Sequence, residues 1–197
     1  AARGSTSAPA LRMSSVAPAA APRTGVLLLA YGTPETPDQV EPYFTHIRGG
    51  RPPSPESVAH LRHRYEAVGG RTPLTALTEA VRAGVAAGLA ARGLEVPVYV
   101  GMKHWTPWIA EAVERMAADG IERAVCVVLA PHYSRFSVGG YQRYLFEGMH
   151  RHGVRLAVDF VEQWHLHPGF LAVMAALVEE GLARFPAGAR DGVTVVF

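Results

Sequence analysis

Apolar runs recur along this chain at 25–30, 96–101, 124–130, 154–160 and 193–197. The first is the clearest: Val26-Leu27-Leu28-Leu29-Ala30 contains no polar residue. A strand with one wet face alternates apolar and polar positions, whereas a strand buried on both faces does not. The runs therefore predict strands of a parallel sheet. Helical patterns fill the gaps. The segment from Pro73 carries Leu77, Val81, Val85 and Leu89 as one apolar stripe. The segment from Pro107 carries Ile109, Val113 and Met116 and stops at Gly120. The last, from Pro168, carries Phe170, Met174, Leu177, Val178 and Leu182. Thr36-Pro37, Ser54-Pro55, Thr72-Pro73 and Thr106-Pro107 predict helix starts, each a capping residue followed by proline at the first helical position. Alternation of this kind predicts an α/β fold, a parallel sheet flanked by helices.

Two features depart from simple alternation. Three helical segments, 37–47, 55–68 and 73–92, separate the first two strands, where a crossover needs one. They are placed to form a lid over the point where the first strand ends, at Tyr31-Gly32-Thr33-Pro34. Ligands of open parallel sheets bind outside the carboxyl ends of the strands, so Tyr31 stands where chemistry is expected. The second feature is Val193–Phe197, an apolar strand pattern with nothing after it. It reads as the first strand of a truncated second domain. The expected division is a disordered leader over 1–24, a first domain over 25–186, and a linker with that strand over 187–197. The leader is rich in Ala, Pro and Ser and holds Arg3, Arg12 and Arg23 without an acid, too little apolar surface to fold.

Composition narrows the function. Nineteen Lys and Arg against seventeen Asp and Glu give a net charge of +2, too small a bias to argue for nucleic acid. No stretch approaches the ~18 apolar residues of a membrane span. The single cysteine, Cys126, lies in a strand pattern and reads as a buried structural thiol. One cysteine excludes a disulfide framework and fits a reducing, cytoplasmic compartment. No glycine-rich phosphate loop follows any strand. Of the nine histidines, the pairs His60/His63, His150/His152 and His165/His167 lack the spacing and supporting ligands of a zinc site; they read as exposed or capping residues.

The stretch from His46 to Arg71 carries more chemistry. It holds Arg48, Arg51, Arg62, Arg64 and Arg71 against only Glu56 and Glu66. The guanidinium fork pairs bidentately with carboxylates. Thr72 is expected to cap a helix whose free N–H groups attract an anion. Aromatics stand after the strands: Tyr43, Phe44 and Tyr65, then Trp105 and Trp108, then Tyr133, Phe136 and Tyr141. A flat ligand bearing several carboxylates would satisfy the tyrosines, the arginines and the helix terminus together.

Four motifs occur in order at compatible spacing: Ala30-Tyr31-Gly32-Thr33-Pro34, Tyr43-Phe44-Thr45-His46-Ile47-Arg48-Gly49-Gly50-Arg51, Arg64-Tyr65-Glu66-Ala67-Val68-Gly69-Gly70 and Leu129-Ala130-Pro131-His132-Tyr133-Ser134. With them the chain resembles the ferrochelatases from about Gly25 to Phe197, and most closely the coproporphyrin ferrochelatases. The resemblance implies two flavodoxin-like domains with a porphyrin cleft between them. It implies insertion of ferrous iron into coproporphyrin III to form coproheme, with iron as substrate and no permanently bound cofactor. It assigns Tyr31 the axial approach to iron. Arg48, Arg64, Tyr65, Thr72 and Tyr141 would contact the macrocycle or its propionates, and Lys103 and His104 would stand at the cleft rim. His132 matches a structural position. The family's catalytic histidine and its glutamate partner fall beyond Phe197, so no catalytic residue is assigned within this chain. Val138-Gly139-Gly140 stands where some relatives carry a cluster cysteine, so an iron–sulfur cluster is not supported. The alternatives are a protoporphyrin IX ferrochelatase, whose substrate has two propionates, and a non-catalytic tetrapyrrole-binding fragment.

Overall fold

The computed structural model describes residues 21–196. A sheet of four parallel strands forms its centre: β1 (Thr24–Ala30), β2 (Val98–Met102), β3 (Arg123–Val128) and β4 (Ala157–Val161), in the order β2-β1-β3-β4. The register sets Leu28 of β1 beside Val100 and Val127, and Cys126 beside Phe160. The chain leaves β1 toward β2 on one side and returns to β3 on the other. The switch point of the sheet, where a ligand crevice opens in such folds, therefore lies at the carboxyl ends of β1 and β3.

Both faces of β1 are buried, as its unbroken apolar run requires. Leu27 and Leu29 face α4 (Ile109–Ala118) and α5 (Val138–His152), packing with Val113, Met116, Cys126 and Leu145. Val26, Leu28 and Ala30 face the other way, with Val100, Met102 and the half-buried Val85 and Leu89 of α3 (Leu74–Ala90). Gly148 of α5 permits the close α4–α5 crossing; a Cβ there would stand 3.0 Å from the Ala110 Cα.

The three expected segments between β1 and β2 form. They are a 3-10 turn (Pro37–Gln39) leading into α1 (Val40–Ile47), then α2 (Pro55–Ala67), then α3. Ser54 caps α2 by accepting from the Ser57 N–H, with Pro55 at the first helical position. Several expectations need correction. Thr72 does not cap α3: Pro73 occupies the N-cap, and the Thr72 hydroxyl is bonded elsewhere. Pro107 does not open α4. The Thr106–Pro107 bond is cis, Trp108 is the N-cap, and Glu111 reaches back to the Trp108 N–H at 2.8 Å. The α3 stripe is only half used, since Val85 and Leu89 meet the sheet while Leu77 and Val81 are exposed.

Residues 1–20 of the expected leader lie outside the described residues. Its last two, Arg23 and Thr24, belong to the fold: Thr24 opens β1, and the Arg23 carbonyl accepts from the N–H groups of Glu122 and Arg123. At the other end, α6 (Pro168–Ala183) is capped by His167, whose Nδ1 accepts from the Gly169 N–H. A 3-10 turn (Ala187–Gly192) follows, and Val193–Val196 form no strand among the described residues. No strand among the described residues pairs with them. They lie against Met174, Leu177 and Leu182 of α6 instead, around a cavity of about 560 Å³.

Candidate functional site

The site is built where β1 ends. Past the strand, the carbonyls of Ala30 and Tyr31 continue to pair, accepting from the N–H groups of Lys103 (2.9 Å) and His104 (2.8 Å) in the loop after β2. The turn needs Gly32, whose φ of +92° lies in the left-handed region. These bonds bring the rings of Tyr31 and His104 together, centroids 4.6 Å apart and planes inclined by 54°. Tyr31 remains 44% exposed, whereas His104 and Lys103 are buried.

The inserted helices close on this corner. From α1, Tyr43 donates to the Gly32 carbonyl at 3.3 Å, and His46 meets His104 Nδ1 to Nδ1 at 3.2 Å. His46 packs on Trp108 and Tyr144, centroids 4.8 and 5.9 Å away. From α2, the Tyr65 hydroxyl bonds Thr33 Oγ1 at 3.0 Å, and Thr72 donates to the same Thr33 oxygen at 3.0 Å. The buried Thr33 hydroxyl thus ties the end of α2 and the start of α3 to the end of β1. From α5, Tyr141 lies under the Lys103 ammonium, 5.2 Å from ring centroid to Nζ. Lys103 also donates to the Phe136 carbonyl at 3.4 Å and forms no ion pair among the described residues.

The electrostatics are those of a dry wall with a positive bias. Burial, followed by Lys103, His46 and Arg143, pushes His104 down to about 4. Burial alone lowers His46. Lys103 is lowered by burial and then by Arg143. Tyr31, Tyr43 and Tyr141 are raised, chiefly by burial, so all three phenols keep their protons at neutral pH. The wall offers neutral hydroxyls, neutral imidazoles and one sheltered ammonium. Such a surface accepts an apolar plane and rewards an anionic edge.

The residues singled out from sequence fall into two groups. Tyr31, Lys103, His104 and Tyr141 converge at the switch point, and Tyr65 and Thr72 join them through Thr33. Arg48 and Arg64 are exposed, Arg48 with its guanidinium 5.7 Å from the centre of the Phe44 ring. Arg71 and Glu35 line a separate concavity of about 370 Å³ with Thr72 and Thr75, where the Thr75 hydroxyl donates to Glu35 at 2.5 Å. Exposed Tyr133 and Phe136 extend the apolar rim after β3. Of the histidine pairs, His63 lies 4.0 Å from Glu66 and His152 3.9 Å from Glu114. His132 stacks near His165 at 4.9 Å. Cys126 is buried, its thiol pushed up to about 12 mainly by burial. Sequence reasoning missed the roles of His46, Thr33 and Tyr144. The signal for two of them was present: His46 follows Tyr43, and Tyr144 follows Tyr141, by three residues on a helix, which places each pair on one face.

A sequence model of the ferrochelatase family matches residues 23–197. The chain is 45% identical over 179 residues to the ferrochelatase of Herpetosiphon aurantiacus, covering 89% of this chain and 58% of the relative. It is 40% identical over 176 residues to the coproporphyrin III ferrochelatase of Oceanobacillus iheyensis, covering 88% and 56%. It is also 40% identical over 167 residues to that of Listeria innocua, covering 84% and 54%. The chain therefore spans a little over half the length of these relatives. The family match runs through every strand and helix described and through the wall around Tyr31, and the chain belongs to the ferrochelatase family.

Proposed function

We propose that this chain forms the tetrapyrrole-binding wall of an enzyme that inserts ferrous iron into coproporphyrin III, making coproheme for heme synthesis. The observation that carries this reading is the half-exposed Tyr31 ring at the switch point of the sheet, set among His104, Tyr65 and Tyr141 and beside an ammonium with no carboxylate partner among the described residues. A macrocycle laid on this wall would bury its flat face on aromatic rings. Its propionates would reach Lys103 and the edge guanidiniums of Arg48 and Arg64. The neutral Tyr31 hydroxyl is suited to steer iron along the axis of the ring and is a poor proton acceptor. His104, lowered to about 4, is a weak base at neutral pH and is assigned to the wall. The base that removes the pyrrole protons is assigned, by the family resemblance, to residues after Phe197. No described helix is long and apolar enough to cross a membrane. A cytoplasmic setting suits the single buried thiol.

Coproporphyrin is preferred over protoporphyrin because four propionates use the cationic edge more fully than two. Arg64→Ala is expected to weaken coproporphyrin binding by about 1–3 kcal/mol, the size of a charged hydrogen bond. Protoporphyrin binding should fall by less. Fluorescence titration of both porphyrins against wild type and variant tests this. Equal affinity for the two porphyrins, together with no effect of the substitution, would put Arg64 on a solvated face and remove the preference.

A further inference from the structure

His46 carries no role in the reading above, yet it makes the one side-chain hydrogen bond found for the buried His104 among the described residues. We propose that His46 is a positioning residue: its Nδ1 holds the His104 ring in one plane and couples the tautomers of the two rings, so that His104 meets the slot beside Tyr31 in a fixed orientation. The inference rests on the porphyrin-wall reading only for what the ordered ring serves.

A bond between two imidazole nitrogens needs one N–H and one lone pair. Burial keeps both rings neutral. Of the four tautomer combinations open to two neutral rings, only the two with opposite Nδ1 protonation satisfy the contact. His46 is itself clamped. It lies on the last turn of α1, one turn after Tyr43, whose hydroxyl fixes the helix to the Gly32 carbonyl. Trp108 and Tyr144 pack on the His46 ring, and His104 stands edge-on to it at 70°, centroids 5.3 Å apart. His104 is held from the other side by Tyr31, and Tyr144 touches both histidines. Among the described residues, the buried side-chain nitrogens with no partner are Trp105 Nε1 and His165 Nδ1. His104 makes no second side-chain hydrogen bond among the described residues, so Nε2 is the ring nitrogen left to meet an incoming ligand.

Nitrogen-15 correlation spectra of histidine-labelled protein test the proposal directly. In the wild type, one of the two rings should carry its proton on Nδ1 and the other on Nε2. In His46→Phe, which keeps a ring and loses the nitrogen, His104 should average between tautomers, and coproporphyrin affinity should fall about 2- to 10-fold, the worth of one neutral hydrogen bond. His46→Asn places an amide where Nδ1 stood and should restore a single His104 tautomer and affinity within about 2-fold. Identical tautomers on the two wild-type rings would overturn the proposal, as would an unchanged His104 pattern in His46→Phe. If the spectra change as stated but the wild type binds no coproporphyrin, the positioning role stands and the porphyrin reading fails.

Discussion

Gly32→Ala should destabilise the domain by about 2–6 kcal/mol and disorder the wall around Tyr31. Two independent costs combine. The residue sits at φ +92°, which a side chain adopts only with strain of about 1–3 kcal/mol. The new Cβ would also stand 2.7 Å from the Trp105 backbone nitrogen and 3.1 Å from its Cβ. A backbone atom cannot rotate away, and overpacking of this kind costs a further 1–3 kcal/mol or so. Neither partner is free to retreat, because the neighbouring His104 N–H is bonded to the Tyr31 carbonyl and the Gly32 carbonyl accepts from Tyr43. Gly139→Ala is the control: it lies in α5 at an unstrained angle with nothing within 4 Å of a new Cβ. It should be neutral or slightly stabilising. Urea unfolding at constant slope measures both. A Gly32 variant within about 0.5 kcal/mol of wild type, the range of an ordinary surface change, would show that the loop after β2 does not pack as described.

Acid should weaken this fold in a particular window. Burial holds His104 down to about 4 in the folded chain, against about 6.5 for a free histidine. Between those values the unfolded chain binds the proton and the folded chain does not, so stability rises with pH across the interval. The contribution is fully present above pH ~6.5 and is lost as pH falls toward 4. At about 1.4 kcal/mol per pH unit it amounts to roughly 3–4 kcal/mol. His46 is lowered too and adds in the same direction. His104→Asn cannot titrate and can keep a bond to His46 Nδ1, so its stability should fall less over the same range. Thermal melts from pH 7 to 4.5 read the difference. Parallel curves for wild type and variant would mean that His104 protonates freely in the folded state.

Much of the architecture could be read from the apolar runs, because a strand buried on both faces has no other pattern. Leu27 and Leu29 face α4 and α5 while Val26 and Leu28 face α3, which is why β1 reads without interruption. The expectations that failed were decided by tertiary context. The Thr72 hydroxyl has a better partner in Thr33 than in the end of its own helix. Pro107 reads as a helix start, but Trp108 caps α4 and Glu111 reaches back to it. Within the site, Tyr31 was placed by the end of its strand alone. Arg48 and Arg64 were gathered by composition, which counts charges and does not say which face bears them; Tyr65 turns inward while its neighbour Arg64 faces solvent. His46 escaped notice because one histidine in a short helix looks like any other until His104 arrives from a loop 58 residues away.

A planar, multiply anionic pigment lying on the wall around Tyr31 would mark the residues beneath it. Titration of labelled protein with coproporphyrin III, read by the ring-current shifts the macrocycle imposes, tests this most directly. The largest shifts should fall on Tyr31, Tyr65, His104 and Tyr141. Shifts confined to the apolar groove between α6 and Val193–Val196, with the tyrosines unmoved, would contradict it.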